Sequence, residues 1–525
     1  MTGTSHRVAS LTELQAKGRM LIKRGDRQVA LFHDSKGVFA CNNRCPHEGY
    51  PLSQGTVTDG RVLTCNWHNW KFDLASGETL VGGDTLRRYP VTIDGDDVML
   101  DFADPPGAER IAAALAELPE AMDKEEYDRM ARLIARVERA GGDPLDAVRE
   151  AVRIGFDRME FGMTHAFGAA PDWLRLGADR ARDDAERLVA LVEPVAHIGW
   201  DTMREPRFPF TEAQESYDAD ALVAAIEAED EDRAVALLRG GLAEGLGFAD
   251  FEEALSRAAL AHYAAFGHAL IYVQKAGALI ERLGDPVAEP VLLALARMIV
   301  YARREDLIPE FREYGPALRN WDGAGGAPAT HGDFVGKSVR QVLRRASDSS
   351  ADPRALYDAL LGANCWNMLH FDLAQQDRSG GAIADNVSWL DFTHGLTFAN
   401  AVRAQCTKFP DLWPAGLLQM GCFVGRNAGF VDADQPVDSW RVADGNGFVE
   451  RQQLALFDHA QPEPIVACHL VKVLTALDDE LAAARPDAPW RSDALAAVNR
   501  FLHSPLKRKH ATRTARQALD LVASE

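Results

Sequence analysis

The sequence predicts two parts of different fold class, a small all-β domain over residues 1–104 and a large all-α domain over 108–525. Three observations divide them. Short apolar stretches punctuated by turn signals run to about Asp101, and Asp104-Pro105-Pro106-Gly107 then breaks the chain. Beyond that break Ala, Leu, Arg and Glu recur at helical spacing. Charge divides at the same place. Residues 1–104 hold 12 Lys+Arg and 13 Asp+Glu, so nearly all of the net charge of −21 belongs to the second part.

In the first part Met20–Ile22, Val29–Phe32 and Val38–Ala40 read as strands separated by Arg24-Gly25-Asp26 and Asp34–Gly37. Tyr89–Ile93 and Val98–Phe102 flank Asp94-Gly95-Asp96 and read as a hairpin. In the second part helix is expected over Ile111–Leu118, Met122–Val137, Ala221–Leu238, Phe251–Leu283 and Pro290–Arg303. It is expected again over Arg354–Gln376, Leu396–Cys406, Pro464–Ala483 and Leu506–Ala523, with loops at Gly323–Gly326 and Gly380-Gly381. No period of 20–50 residues marks a repeat, and the helical part reads equally as one domain or two.

Bulk composition narrows the function. Hydrophobic residues at 47% and charged residues at 26% are ordinary for a globular protein, and 525 residues suffice for a large core. A net charge of −21 disfavours nucleic acid and anionic membrane surfaces, since neither attracts an acidic chain. An acidic exterior serves solubility first, and also attracts a basic electron donor. MTGTSHRVAS carries neither an apolar core nor a twin-arginine pair, and no apolar run approaches a membrane span. Seven cysteines in so long a chain are not a disulfide framework. A cytoplasmic location is therefore expected.

The chemistry-bearing motif is Cys45-Pro46-His47 with Cys65-Asn66-Trp67-His68, 17 residues separating His47 from Cys65. Two thiolates on one iron and two imidazoles on the other are the ligands of a Rieske [2Fe–2S] cluster, with Cys45, His47, Cys65 and His68 in those roles. A mixed Cys/His zinc ribbon is the alternative. The surroundings favour the cluster: CPHEGYPLSQG followed by CNWHNWKFDLASGE resembles Rieske domains over roughly residues 5–104. Gly49 and Gly55 are expected to give the first loop backbone freedom. Trp70 and Phe72 stand where respiratory Rieske proteins have hydroxyl donors, and neither loop holds an extra cysteine pair. Fewer hydrogen bonds to the cluster sulfurs imply a lower potential, as in ferredoxins and oxygenase components. Asn69 replaces a glycine common in such loops, and Asn tolerates a left-handed backbone best among the alternatives. Cys41 reads as packing, and His6 and His33 as surface residues.

Two familiar oxygen-activating sites are absent from the rest. No D-x2–3-H-x4-H run supplies the facial triad of a ring-hydroxylating oxygenase: His262 and His268 are six apart without an upstream Asp, and no second histidine follows Asp391 and His394. A di-iron bundle needs two Glu-x-x-His motifs and finds none.

Four histidines instead lie in apolar helical context beside small residues: His165, His268, His394 and His469. The fragments THAFG, GHALIY, THGLT and HLVK, in that order, resemble the questin oxidase-like proteins, a helical group that includes fungal enzymes that oxidatively open anthraquinone-type rings. The resemblance implies a mononuclear Fe(II) held by His165, His268, His394 and His469, with Lys472 as a fifth, carboxylated ligand. His469 and Lys472 are three apart and share a helix face. An ammonium cannot bind a cation, whereas a carbamate can; a snorkelling Lys472 is the plainer reading. His262 competes with His268, because both fall on one expected helix. A fused Rieske domain departs from that family and alters the source of electrons. His370 and Asp372, polar residues in a Trp- and Leu-rich helix, are candidate acid–base groups, with a structural pair as the plainer reading. His331 reads as a loop residue. Cys365, Cys406, Cys422 and Cys468 read as buried small residues.

The expectation is a non-heme iron oxygenase for an aromatic or polyketide-like substrate and O2. A reductase or ferredoxin would feed the cluster, which would relay electrons to the histidine site. The rival is a fused Rieske electron carrier whose metal-free helical domain binds a partner; a structural zinc in that domain is a third reading. Substrate, reaction outcome, reductase and oligomeric state stay open.

Overall fold

The computed structural model describes residues 5–378, 380–506 and 510–523. About 59% of it is helix and 11% strand, the strands gathered at the N-terminal end as expected. Two compact units result, Met1–Pro144 and Leu145–Glu525.

The first unit is built from three antiparallel sheets. Strand Arg27–Asp34 lies between Arg19–Arg24 and Gly37–Asn42; Ser5–Ser10 pairs with Asp97–Asp101, which pairs with Val91–Asp94. Thr56–Thr58, Val62–Thr64, Lys71–Asp73 and Thr79–Val81 form the third sheet in order. Strand Arg27–Asp34 has a continuous buried run because both of its faces are covered. Ala30 and Phe32 face one core with Leu63, Phe72 and Leu86, whereas Val29 and Leu31 face another with Leu14, Val98 and Leu100.

This unit extends past the break at Pro105-Pro106. Helix Tyr127–Arg139 joins the β structure through Asp84, a fully buried carboxylate that accepts from Arg132 and Arg136 at 2.6 Å each, and helix Gly107–Asp123 joins it through Glu117, which accepts from Thr85 Oγ1 at 2.7 Å. Arg129, equally buried, is neutralised by Glu120 and Glu126. A buried charge demands such partners, and these fix the two helices to the strands.

Among the described residues the regular elements of the second unit are all helices, joined by loops. Several expected helices are interrupted. Ala221–Leu238 divides into Ala219–Glu227 and Glu231–Ala243 at Glu229, with φ of 55°. Arg354–Gln376 divides at His370. The helix expected over Phe251–Leu283 stops at Leu260 and resumes at His268, because Ala265, Phe266 and Gly267 are all left-handed (φ 49°, 52° and 75°). Pro464–Ala483 is helical over the range expected. The expected helix Leu506–Ala523 appears as Ala511–Val522, and residues 507–509 lie outside the described residues.

Four helices form the centre of this unit: His165–Arg180, His268–Leu283, Trp389–Lys408 and Pro464–Ala483. Their contacts recur at equal offsets. His165 meets His268, and seven residues on Asp172 meets Lys275. His268 meets His394, and six residues on Gln274 meets Asn400. His165 packs against His469, and ten residues on Arg175 meets Asp479. Equal offsets require parallel helices, so the four N-terminal ends gather at one place, each carrying one of the four histidines.

Candidate metal centres

The two Rieske-type loops are copies of one design. In the first, Cys45 N–H donates to Tyr50 O (2.9 Å) and Gly49 N–H to Cys45 O (2.8 Å). In the second, Cys65 N–H donates to Trp70 O (2.8 Å) and Asn69 N–H to Cys65 O (2.9 Å). Gly49 (φ 76°) and Asn69 (φ 61°) hold equivalent left-handed positions, so Asn69 does what glycine does opposite it. Gly55 serves differently from expectation. Its φ is an ordinary −68°, and glycine is required because a Cβ would lie 2.6 Å from Thr64 O.

These loops bring Cys45, His47, Cys65 and His68 together. Both thiols are buried, and the two imidazoles meet edge to face at 4.7 Å on the outer side. Trp70 stacks on His47 at 4.6 Å and Trp67 on His68 at 5.4 Å. His47 Nδ1 is buried without a hydrogen-bond partner, as an inward-facing metal donor would be. Two sulfur and two nitrogen donors on paired loops fit a [2Fe–2S] cluster. Cys41 lies in a strand opposite Ala30, fully buried, where burial pushes its thiol up.

The second group is deep in the helical unit. His165 Nε2 lies 3.0 Å from His268 Nε2, which lies 2.9 Å from His394 Nε2. Donor atoms of His165, His394 and His469 lie within 4.8 Å of one another. The tautomers follow from the outer nitrogens. His268 Nδ1 donates to Ala265 O (2.6 Å) and His469 Nδ1 to Ile465 O (2.7 Å), so both Nε2 atoms turn lone pairs inward. His469 Nε2 and Lys472 Nζ are buried with no hydrogen-bond partner. Lys472 is 1% exposed, so it does not snorkel.

Burial is the first cause that holds all four imidazoles below their usual range, His268 at about 4. The Lys472 charge comes next for His165, His268 and His469, and neighbouring imidazoles for His394. Burial likewise pulls Lys472 down. The helix N-termini gathered here add positive potential, which further disfavours imidazolium. Neutral imidazoles converging beside an unpartnered amine fit a metal ion with His165, His268, His394, His469 and Lys472 around it.

A cavity of about 510 Å³ opens onto His165 and His268. Met159, Met163, Tyr272 and Met298 make its apolar wall, and Phe161 and Tyr301 stand exposed at its rim. Four carboxyl groups unmarked by any sequence motif also line it, those of Glu160, Asp201, Glu205 and Glu305. Asp201 accepts from Thr164 Oγ1 (2.7 Å), and burial raises Glu305 to about 7.

His370 and Asp372 are elsewhere. His370 caps helix Pro353–Leu369, stacks on Trp366 at 3.9 Å and binds its carbonyl through Nδ1; Asp372 caps helix Leu373–Asp377 by accepting from Ala374 N–H. Neither lines the cavity. They are helix caps, and an apolar sequence context could not distinguish a cap from a cavity wall. His262 does not replace His268: it lies before the left-handed turn, bound to Glu227 and Asp306.

The β unit and its paired Cys/His loops define an iron–sulfur protein of Rieske type. Residues 4–88 match the Rieske [2Fe-2S] domain family, and through this domain the chain belongs to that family. The biphenyl dioxygenase ferredoxin subunit of Pseudomonas sp. (strain KKS102) is 29% identical over 102 residues, 19% of this chain and 94% of that protein. A 3-phenylpropionate/cinnamic acid dioxygenase ferredoxin subunit of Shigella boydii is 33% identical over 76 residues, 14% of this chain and 72% of that one. The 4beta-methylsterol monooxygenase of Methylococcus capsulatus is 37% identical over 91 residues, 15% of this chain and 24% of the enzyme. These likenesses cover the Rieske domain alone. Among the described residues no helix is long and apolar enough to cross a membrane.

Proposed function

We propose that the chain is a two-part oxygenase in which the Rieske domain relays electrons, received from a reductase or ferredoxin, to an iron site in the helical unit. The cluster ligands are Cys45, His47, Cys65 and His68, and the iron ligands His165, His268, His394 and His469, with Lys472 as the carboxylated fifth. One observation carries this reading: His268 and His469, their lone pairs fixed inward by backbone carbonyls, converge with His165 and His394 behind a substrate-sized cavity whose wall includes His165 and His268. The order of the fragments around those histidines, similar to questin oxidase-like proteins, supports the same assignment.

Iron held there would supply O2 binding and activation. The chain's own residues do the rest. Apolar side chains receive an aromatic or polyketide-like substrate and keep water from it, Phe161 and Tyr301 flank its entry, and Asp201 and Glu305 face it. Glu305, shifted to about 7, can hold a proton at neutral pH and release it to a developing oxyanion.

The carrier reading draws on the likeness to free-standing ferredoxin subunits. Metal and sulfide analysis of anaerobically purified protein separates the two. Three irons and two labile sulfides per chain, falling to two irons in His394→Ala, support the oxygenase. Two irons in both proteins would make the chain a carrier.

A further inference from the structure

The loop that presents His268 is held in an unfavourable conformation, and the question is what holds it. Ala265 and Phe266 are consecutive non-glycine residues with φ near +50°, each a costly left-handed conformation, and their side chains confer none of the local hydrogen bonding that lets Asn adopt it. The loop's product is one hydrogen bond, His268 Nδ1–H to Ala265 O at 2.6 Å. That bond fixes both the ring's orientation and the nitrogen left free to bind metal. If the loop relaxed, the carbonyl would leave His268 and the tautomer would no longer be set.

Three residues before Ala265, His262 reaches away from the histidine cluster. Its Nε2 lies 2.7 Å from Glu227 Oε2, at the end of helix Ala219–Glu227. Its Nδ1 lies 2.9 Å from Asp306 Oδ2 and 2.7 Å from Arg304 Nη2, and Arg304 Nε donates to Asp306 Oδ1 at 3.2 Å. The main chain is fastened beside it. Gln419, 1% exposed, donates to His262 O at 2.7 Å; Asp306 N–H donates to Tyr263 O and Ala265 N–H to Arg303 O. The imidazole is the side chain that spans both anchors, one on the segment 303–306 and one on a separate helix.

We infer that His262, clamped between Glu227 and Asp306, is a positioning residue that holds the left-handed turn and so aims His268 at the metal. The inference rests on the proposed iron site. It also assigns a role to the histidine that, by spacing alone, competed with His268 for ligation. His262 touches neither metal nor substrate, so its effect must travel through Ala265.

Cobalt(II) binding to the full chain, with its Rieske cluster in place, tests this without a substrate. Affinity is read by equilibrium dialysis and the ligand set by the low-temperature EPR of high-spin cobalt. His262→Gln, which cannot engage both anchors, is expected to bind cobalt about 10–100-fold more weakly and with an altered EPR signal. Ala265→Gly removes the Cβ penalty of the left-handed turn, so adding it to His262→Gln should recover about five-fold. A merely structural role for His262 would not predict that rescue. Unchanged cobalt affinity in His262→Gln, or no rescue by Ala265→Gly, overturns the inference. Should His262→Gln fail to fold, Glu227→Gln at the half-exposed anchor decides, a loss of several-fold supporting the clamp and wild-type affinity refuting it. If the wild-type chain binds no cobalt outside its cluster, the iron site itself is wrong and the clamp falls with it.

Discussion

Replacing Lys275 with Met should cost the helical unit about 3–5 kcal/mol, the cost of leaving one charge of a buried pair alone. Lys275 Nζ lies 2.7 Å from Asp172 Oδ1, and the two side chains are only 7% and 4% exposed. Burial already raises the Asp172 carboxyl despite that partner, so water compensates little for the lost ammonium. Asp172 and Lys275 sit seven residues, or about 10 Å along each helix, beyond His165 and His268. The pair therefore pins two of the histidine-bearing helices in mutual register. The double variant Asp172→Asn/Lys275→Met removes both charges and should recover most of the loss, since a buried pair replaced whole is often close to neutral. Urea unfolding of the wild type, both single variants and the double variant, followed by far-UV circular dichroism, measures the cycle. A loss below about 1 kcal/mol in Lys275→Met would show that the pair is solvated and holds nothing. A double variant as unstable as the worse single one would refute the charge argument and leave only packing.

Asn69→Gly should leave the cluster's visible spectrum unchanged, whereas Asn69→Val should bleach it, because a β-branched residue does not adopt φ near 61°. Asp84→Ala should destabilise the first unit by about 1–3 kcal/mol, read as a lower urea midpoint, by removing the buried acceptor of Arg132 and Arg136, which solvent and Asp128 compensate in part. Glu305 is raised from 4.5 to about 7, so its contribution is fully present below pH 4.5 and is lost as pH rises through 7. The urea midpoint of Glu305→Gln should accordingly lack a decline between pH 5 and 8 that the wild type shows; identical profiles would count against a buried, protonated Glu305.

What could be read from sequence depended on how local each feature is. Cys45, His47, Cys65 and His68 lie in two short loops of fixed spacing, and even the left-handed Asn69 could be anticipated. The helical character of residues beyond 107 followed from periodicity, and Pro464–Ala483 kept its expected ends. The interruptions at Glu125, Glu229 and Ala265-Phe266 were invisible, because none of these residue types favours a left-handed backbone; at Glu125 and Glu229 it closes a helix end through local bonds (Glu126 N–H to Ala121 O, Asp230 N–H to Ala225 O), and at Ala265 the N–H bonds to the distant Arg303 O. The attachment of helix Tyr127–Arg139 to the strands hangs on Asp84, 48 residues from Arg132, which no local pattern reveals. Likewise the four histidines could be nominated one by one, but their convergence depends on contacts spanning 103 and 126 residues.

Those long spans bear on how the protein reaches its native state. Antiparallel helices joined by short turns can zip together from neighbouring segments, but four parallel helices cannot; each must await the chain that crosses back to start the next. Closing such loops costs entropy before any contact repays it, so the histidine cluster belongs among the last features to form. During synthesis, the helix of His165 emerges about 300 residues before that of His469, so the first three imidazoles stay unassembled until the last arrives. Occupancy of this centre would then report completion of the helical unit, while the two-loop cluster upstream can assemble from a contiguous stretch long before.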